Sequence, residues 1–169
     1  THLVMQMVDL SQTPSEQLID SLINGLIEDE VLEKEIGEKI DREMIITFFE
    51  SDFGQYLISN HQSLKREQPF SLLLSADTIF KDFKGKQSDK LLVHGIIDGF
   101  IETETELILY DFKTDYMSKK PSSEEIEKIK QKYVGQLNLY KQALEQVKQQ
   151  KVTSVKLILL KGNHQIEMS

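Results

Sequence analysis

The chain has 169 residues, 39% of them hydrophobic and 28% charged, with 20 Lys+Arg against 28 Asp+Glu for a net charge of −8, and it has no cysteine. A chain of this length buries roughly two thirds of its unfolded surface, which excludes wholesale disorder and leaves one domain, or one with an appendage, as the expectation. Disulfides, thiolate zinc sites, iron–sulfur clusters and cysteine nucleophiles are excluded, so any metal must sit on oxygen or imidazole.

No apolar run approaches the roughly 20 residues that span a bilayer, and no basic segment precedes an apolar one as in a leader. A soluble, cytoplasmic protein with no membrane partner is expected. The opening Thr1-His2-Leu3-Val4-Met5 reads as an element already in progress, so a segment of something larger is expected too. Charge is uneven: residues 1–60 hold thirteen acids and three bases (Lys34, Lys39, Arg42), whereas 61–169 hold fifteen acids and seventeen bases. The global excess of acid argues against non-specific nucleic-acid binding, unless the acidic part faces away from the ligand or the acids themselves hold metal.

In chain order, Thr13-Pro14-Ser15-Glu16 gives an N-cap, a proline at the first helical position and a capping-box glutamate. The spacing predicts a helix to about Glu28, with Leu18, Leu22, Leu26 and Ile19, Ile23, Ile27 forming a broad apolar face. A shorter helix is predicted within 30–40, and a third from Asp41 with a break near Asp52–Gly54. After His61 the texture becomes strand-like: Pro69–Leu74, Asp77–Phe80, Leu91–Ile101 and, across a turn at Thr103–Thr105, Leu107–Lys113 as the second arm of a hairpin. Thr114–Ser123 lacks periodicity and is expected to be a mobile loop. A long helix follows from Glu124 to about Gln149, then a strand at Val155–Leu160 and a short closing strand after Gly162-Asn163. The order predicts an α/β fold in which a mixed central sheet is flanked by helices, with 1–60 as a helical lobe and 61–169 as the α/β core.

Chemistry concentrates in the hairpin. Asp98 ends an apolar strand in Gly-Ile-Ile-Asp-Gly, and Asp111 and Lys113 stand two apart on the next strand, hence on one face. Two carboxylates and an ammonium at the rim of a sheet suit a hard cation: Mg²⁺ takes one or two carboxylates, keeps waters and leaves room for a phosphate oxygen. Such an ion would activate a water and stabilise charge on phosphate. Asp-x-Lys alone equally describes a solvated ion pair of little energetic worth; the placement of both acids after apolar runs, where desolvation needs a compensating partner, favours the site.

Gly95-Ile96-Ile97-Asp98-Gly99, then Asp111-Phe112-Lys113-Thr114, then Gln136-Leu137-Asn138-Leu139-Tyr140 resembles the RecB-type nuclease motifs of the PD-(D/E)XK superfamily. The opening Thr-His-Leu-Val-Met-Gln resembles the family's upstream His helix, and Arg66-Glu67-Gln68-Pro69-Phe70 its Glu-x-Pro-Phe block, so the likeness spans nearly the whole chain. Within the family it is most similar to nuclease domains of the AddA (RexA) type of helicase–nuclease subunit; related subunits carry four cysteines for an iron–sulfur cluster, and none is expected here. The resemblance implies a restriction-endonuclease-like fold. It also implies His2, Asp98, Asp111 and the Phe112 carbonyl as ligands of Mg²⁺ or Mn²⁺, Lys113 acting on the attacking water and the phosphate, and Glu67 completing the acidic site. Gln136 and Tyr140, four apart on one helix face, would position Lys113 or the scissile strand.

It further implies cleavage of single-stranded DNA fed by a parent helicase during DNA-end processing for recombinational repair, with a second helicase–nuclease subunit of the AddB (RexB) type as partner and a monomeric isolated domain. No Gly-x-x-x-x-Gly-Lys-[Ser/Thr] phosphate loop is present, so this chain alone should not hydrolyse ATP. Two other classes fit parts of the sequence: a non-catalytic docking module using the Leu18, Leu22, Leu26 face, and a stand-alone resolvase-like endonuclease. Among the remaining candidates, His94 shares the Asp98 face only if no bulge intervenes, Tyr133 is core or site, and His61 and His164 read as surface. Lys119, Lys120, Lys128, Lys130 and Lys132 either solvate their surface or track phosphates.

Overall fold

The computed structural model describes residues 1–75 and 89–168; the strand expected at Asp77–Phe80 lies outside them. Five helices precede the sheet: α1 (His2–Met7), α2 (Glu16–Glu28), α3 (Lys34–Glu38), α4 (Arg42–Glu50) and α5 (Asp52–Ser59). The cap of α2 is Ser15, whose Oγ accepts from the Leu18 N–H at 3.2 Å, so the helix starts later than the Thr13 signal suggests. Ser51 supplies the expected break by closing α4 and capping α5 through the Gly54 N–H. The second predicted helix shrinks to the five residues of α3.

The sheet comprises β1 (Leu64–Ser75), β2 (Lys90–Glu102), β3 (Leu107–Lys113), β4 (Ser154–Leu159) and β5 (His164–Glu167), in that spatial order. Among the described residues only the β3–β4 pair is parallel. A parallel pair needs a crossover, and α6 (Ser123–Lys148) provides it. Residues 107–112 of β3 are all buried, as befits a strand covered on both faces.

Two cores lie on the two sides of the sheet. On one, Ile101, Ile108, Tyr110, Phe112 and Ile158 pack with Val4, Met5, Ile19, Ile23, Phe48 and Phe49 from the helical segment. On the other, Ile97, Phe100, Leu107, Leu109 and Leu157 pack beneath Leu137, Tyr140, Ala143 and Leu144 of α6. The α2 face is consumed in the first core: Ile19, Ile23 and Leu26 are buried, and Leu18, Leu22 and Ile27 pack against them. It is therefore not left free as a docking surface.

The segment after β3 also departs from expectation. Asp115 is bound by Lys132 and by the Tyr133 hydroxyl, Met117 is buried, and the Ser118 N–H and hydroxyl both donate to Glu125, at 2.8 and 2.7 Å. What reads as a mobile loop is tied to the first turns of α6.

Candidate active site

The β2–β3 ladder runs from Glu102↔Leu107 to Gly99↔Tyr110 and stops there. One residue beyond, Asp98 and Asp111 would be the next pair. Instead the Phe112 N–H donates to Asp98 Oδ2 at 2.8 Å, so a carboxylate takes the hydrogen bond a strand would have supplied.

Two glycines of Gly-Ile-Ile-Asp-Gly allow this local course. A Cβ at Gly99 would lie 2.1 Å from the Tyr110 hydroxyl oxygen, and one at Gly95 would lie 2.5 Å from the Phe70 ring. Ile97 and Phe100 both enter the core beneath α6 although strict alternation would separate them. The alternation thus slips at Asp98–Gly99. His94, four residues before Asp98 on β2, stands exposed and hydrogen-bonded to Ser71 at 2.8 Å.

Asp111 is 2% exposed, and Lys113 Nζ lies 2.8 Å from its Oδ2. Among the described residues, this buried oxygen meets no donor apart from that ammonium. Burial, and then the neighbouring Asp98, push the Asp111 carboxyl up to about 6. For Lys113 burial alone would lower the pKa, but Asp111 and Asp98 outweigh it and the net shift is upward. A lysine held this way keeps its charge at neutral pH, which suits it to meet a phosphate rather than to accept a proton.

His2 reaches the same place from α1. Its Nε2–H donates to the Phe112 carbonyl at 2.7 Å and lies 3.9 Å from Asp98 Oδ2. Arg66 holds this helix to the sheet by donating from Nη1 to the carbonyls of Val8, at 2.8 Å, and Met5, at 3.3 Å. Sequence reasoning gives Arg66 no role of its own, because its partners are backbone atoms about sixty residues away.

Glu67 is exposed, with φ +48°, and faces Asp98 in register, between the pairs Arg66↔Gly99 and Gln68↔Ile97. On α6, Gln136 Nε2 donates to the Tyr140 hydroxyl at 2.9 Å, and Tyr140 packs edge-on against Phe70. Burial raises the Tyr140 pKa, Asp111 adds to the rise, and the Gln136 bond opposes it.

Tyr133 belongs to the site's surroundings rather than to the core alone: Lys113 Nζ sits 4.9 Å from its ring centroid, while its hydroxyl holds Asp115. Asp115 itself does not stand out in the sequence, since nothing in its spacing announces a tether. Of the candidate phosphate-tracking lysines, Lys132 is engaged by Asp115 and Lys128 pairs with Glu124 four residues earlier.

The structure thus brings together His2, Asp98, Asp111, the Phe112 carbonyl and Lys113, with Gln136–Tyr140 alongside and Glu67 opposite Asp98. Among the described residues, no three His, Asp or Glu side chains form a ready-made metal cage. The donor set nonetheless fits a hard divalent ion: carboxylate oxygens, a carbonyl and an imidazole, with Asp111 Oδ2 buried and, among the described residues, met by Lys113 alone.

The chain matches the family described as the PD-(D/E)XK nuclease superfamily over residues 1–167, and it belongs to that superfamily. It is 41% identical over 168 residues to the A-type subunit of the ATP-dependent helicase/nuclease of Enterococcus faecalis, covering 99% of this chain and 13% of that protein. The protein of the same name from Levilactobacillus brevis is 42% identical over 160 residues, or 95% of this chain and 13% of that protein. That from Bacillus cereus is 38% identical over 170 residues, or 99% and 14%. The chain therefore spans about a seventh or less of the length of these relatives. The likeness read from the sequence motifs, to the nuclease part of such a protein, is borne out, as is the mixed sheet flanked by helices.

Proposed function

We propose that this chain is a divalent-metal-dependent deoxyribonuclease module that hydrolyses phosphodiester bonds of single-stranded DNA. In this reading residues 1–60 and 61–169 form one unit of a larger cytoplasmic helicase–nuclease, whose motor delivers the strand and which works beside a second subunit of AddB type in DNA-end processing for recombinational repair. The observation that carries it is the gathering of Asp98, Asp111, Lys113, His2 and the Phe112 carbonyl where the β2–β3 ladder stops.

His2, Asp98, Asp111 and the Phe112 carbonyl would hold Mg²⁺ or Mn²⁺, and the bound ion would supply Lewis-acid stabilisation of charge on the phosphate and a more acidic water. Lys113, 17% exposed beside Asp111, would orient the attacking water and offset the charge that develops on the phosphoryl oxygens. Tyr140 receives a hydrogen from Gln136, which leaves its own O–H to donate to a strand oxygen or to steady Lys113. Glu67 is exposed opposite Asp98 and would contribute through a water or a second ion. No helix among the described residues is long and apolar enough to cross a membrane.

The test is cleavage of an end-labelled single-stranded oligonucleotide with Mg²⁺, Mn²⁺ or EDTA, beside folded Asp111→Ala and Lys113→Ala variants. Metal-dependent cutting by the parent that falls at least about a hundredfold in both variants is expected. Cutting that survives EDTA, or that both variants retain, would refute the assignment.

A further inference from the structure

The ends of β3 and β4 open onto a cleft of about 600 Å³ between the first turns of α4, the tied segment after β3 and the β4–β5 turn. It is joined to the candidate active site through the backbone. Tyr116, on its wall, is three residues past Lys113, and Lys161 follows Leu160, whose N–H donates to the Lys113 carbonyl at 2.9 Å.

Tyr116 is 70% exposed, yet its segment is fixed on both sides by Asp115, Met117 and Ser118. The backbone that carries the ring is held, so less ordering entropy remains to be lost when something stacks on it. Lys119 and Lys161 line the same cleft. On the opposite wall are Met44 and two acids, Asp41 and Glu43. Asp41 is committed to the Met44 N–H as the cap of α4, and both acids would push a phosphate chain toward the lysines.

An exposed aromatic ring in a groove that also carries two ammonium groups, three residues along the chain from Lys113, offers what an unpaired strand requires: a base stacks while the phosphates meet charge. A duplex keeps its base faces stacked inside and offers none to the ring. We infer that this cleft is a single-strand subsite of the nuclease, with Tyr116 stacking one base and Lys119 and Lys161 holding phosphates. This rests on the nuclease reading above.

The experiment is fluorescence anisotropy of a labelled oligothymidylate in EDTA, which prevents cleavage, with the 169-residue chain and its variants. Tyr116→Ala is expected to weaken binding about tenfold and Tyr116→Phe to leave it unchanged. Lys119→Ala with Lys161→Ala should weaken it and flatten the salt dependence of log Kd by about 0.7 for each phosphate no longer neutralised. A parent that does not bind the strand, a Tyr116→Ala variant that binds as well as the parent, or equal losses with Phe and Ala would overturn the subsite. Metal-dependent cutting judges the other reading separately. Cutting with Tyr116-independent binding removes the subsite and keeps the nuclease, whereas Tyr116-dependent binding without cutting does the reverse.

Discussion

Replacing Asp111 by asparagine separates what its carboxylate does to the fold from what it does in the site. The group is 2% exposed, and burial, reinforced by Asp98, lifts its pKa from 3.8 to about 6. That rise corresponds to about 3 kcal/mol between protonation states. Because the folded-state value lies above the unfolded one, this contribution is fully present below pH 3.8 and is lost as pH rises through about 6. Asparagine does not titrate, so in EDTA the stability of Asp111→Asn should gain on that of the parent by about 2.5 kcal/mol between about pH 4 and pH 7.5. The penalty for leaving Lys113 without its partner is a constant offset over that range. Urea or thermal unfolding across the pH series reads the difference, at about 2–4 °C per kcal/mol for a chain of this size. Adding Mg²⁺ at neutral pH should stabilise the parent alone and narrow the gap. A stability difference that stays constant with pH would show that the Asp111 carboxylate is far better solvated than its burial indicates.

Two further substitutions test the scaffold. Gly99→Ala would place a methyl 2.1 Å from the Tyr110 hydroxyl oxygen, in a ring cluster with Phe53 and Phe112; a loss of about 2–3 kcal/mol in urea unfolding is expected, and a loss below about 1 would mean that the ring can swing aside. Arg66→Ala removes the donor to the Met5 and Val8 carbonyls, which should cost about 1.5–3 kcal/mol, speed amide exchange in α1 and reduce cleavage by loosening His2. Unchanged exchange there would show that the buried Val4 and Met5 hold the helix unaided.

Much of this architecture is legible in the sequence because periodicity and burial agree. The α2 stripe, the unbroken apolar run of β3 and the helix from Ser123 each carry a hydrophobic pattern with the period of their element. Elements without such a pattern are harder to read. The first residues of β1, Leu64–Gln68, are mostly polar and sit on an edge strand, so their strand character comes from backbone pairing with β2 rather than from their side chains. The segment after Lys113 looks free because its tethers are tertiary. Asp115, Met117 and Ser118 find partners on α6 and in the core that no local spacing records. In the site, Asp98, Asp111 and Lys113 stand out as charges ending apolar strands. The slip of alternation at Asp98–Gly99 leaves no mark in the local pattern, and Arg66 stays silent because it binds main-chain atoms.

That slip also decides which variants can report on chemistry. Asp98 accepts the Phe112 N–H at the point where the ladder stops, so its removal strands a main-chain donor in partly buried surroundings, at about 1–3 kcal/mol. Phe112 in turn packs against Phe48 and Tyr110, and its carbonyl receives His2. An Asp98 variant would therefore disturb strand, core and site together, and diminished cutting could not be assigned to any one of them. Asp111 and Lys113 differ, because their side chains meet each other at 2.8 Å, whereas Asp98 holds a main-chain N–H. Deleting either leaves the strand pairing intact. A fall in cleavage there, with unfolding curves that show the fold retained, is evidence about the reaction rather than the scaffold.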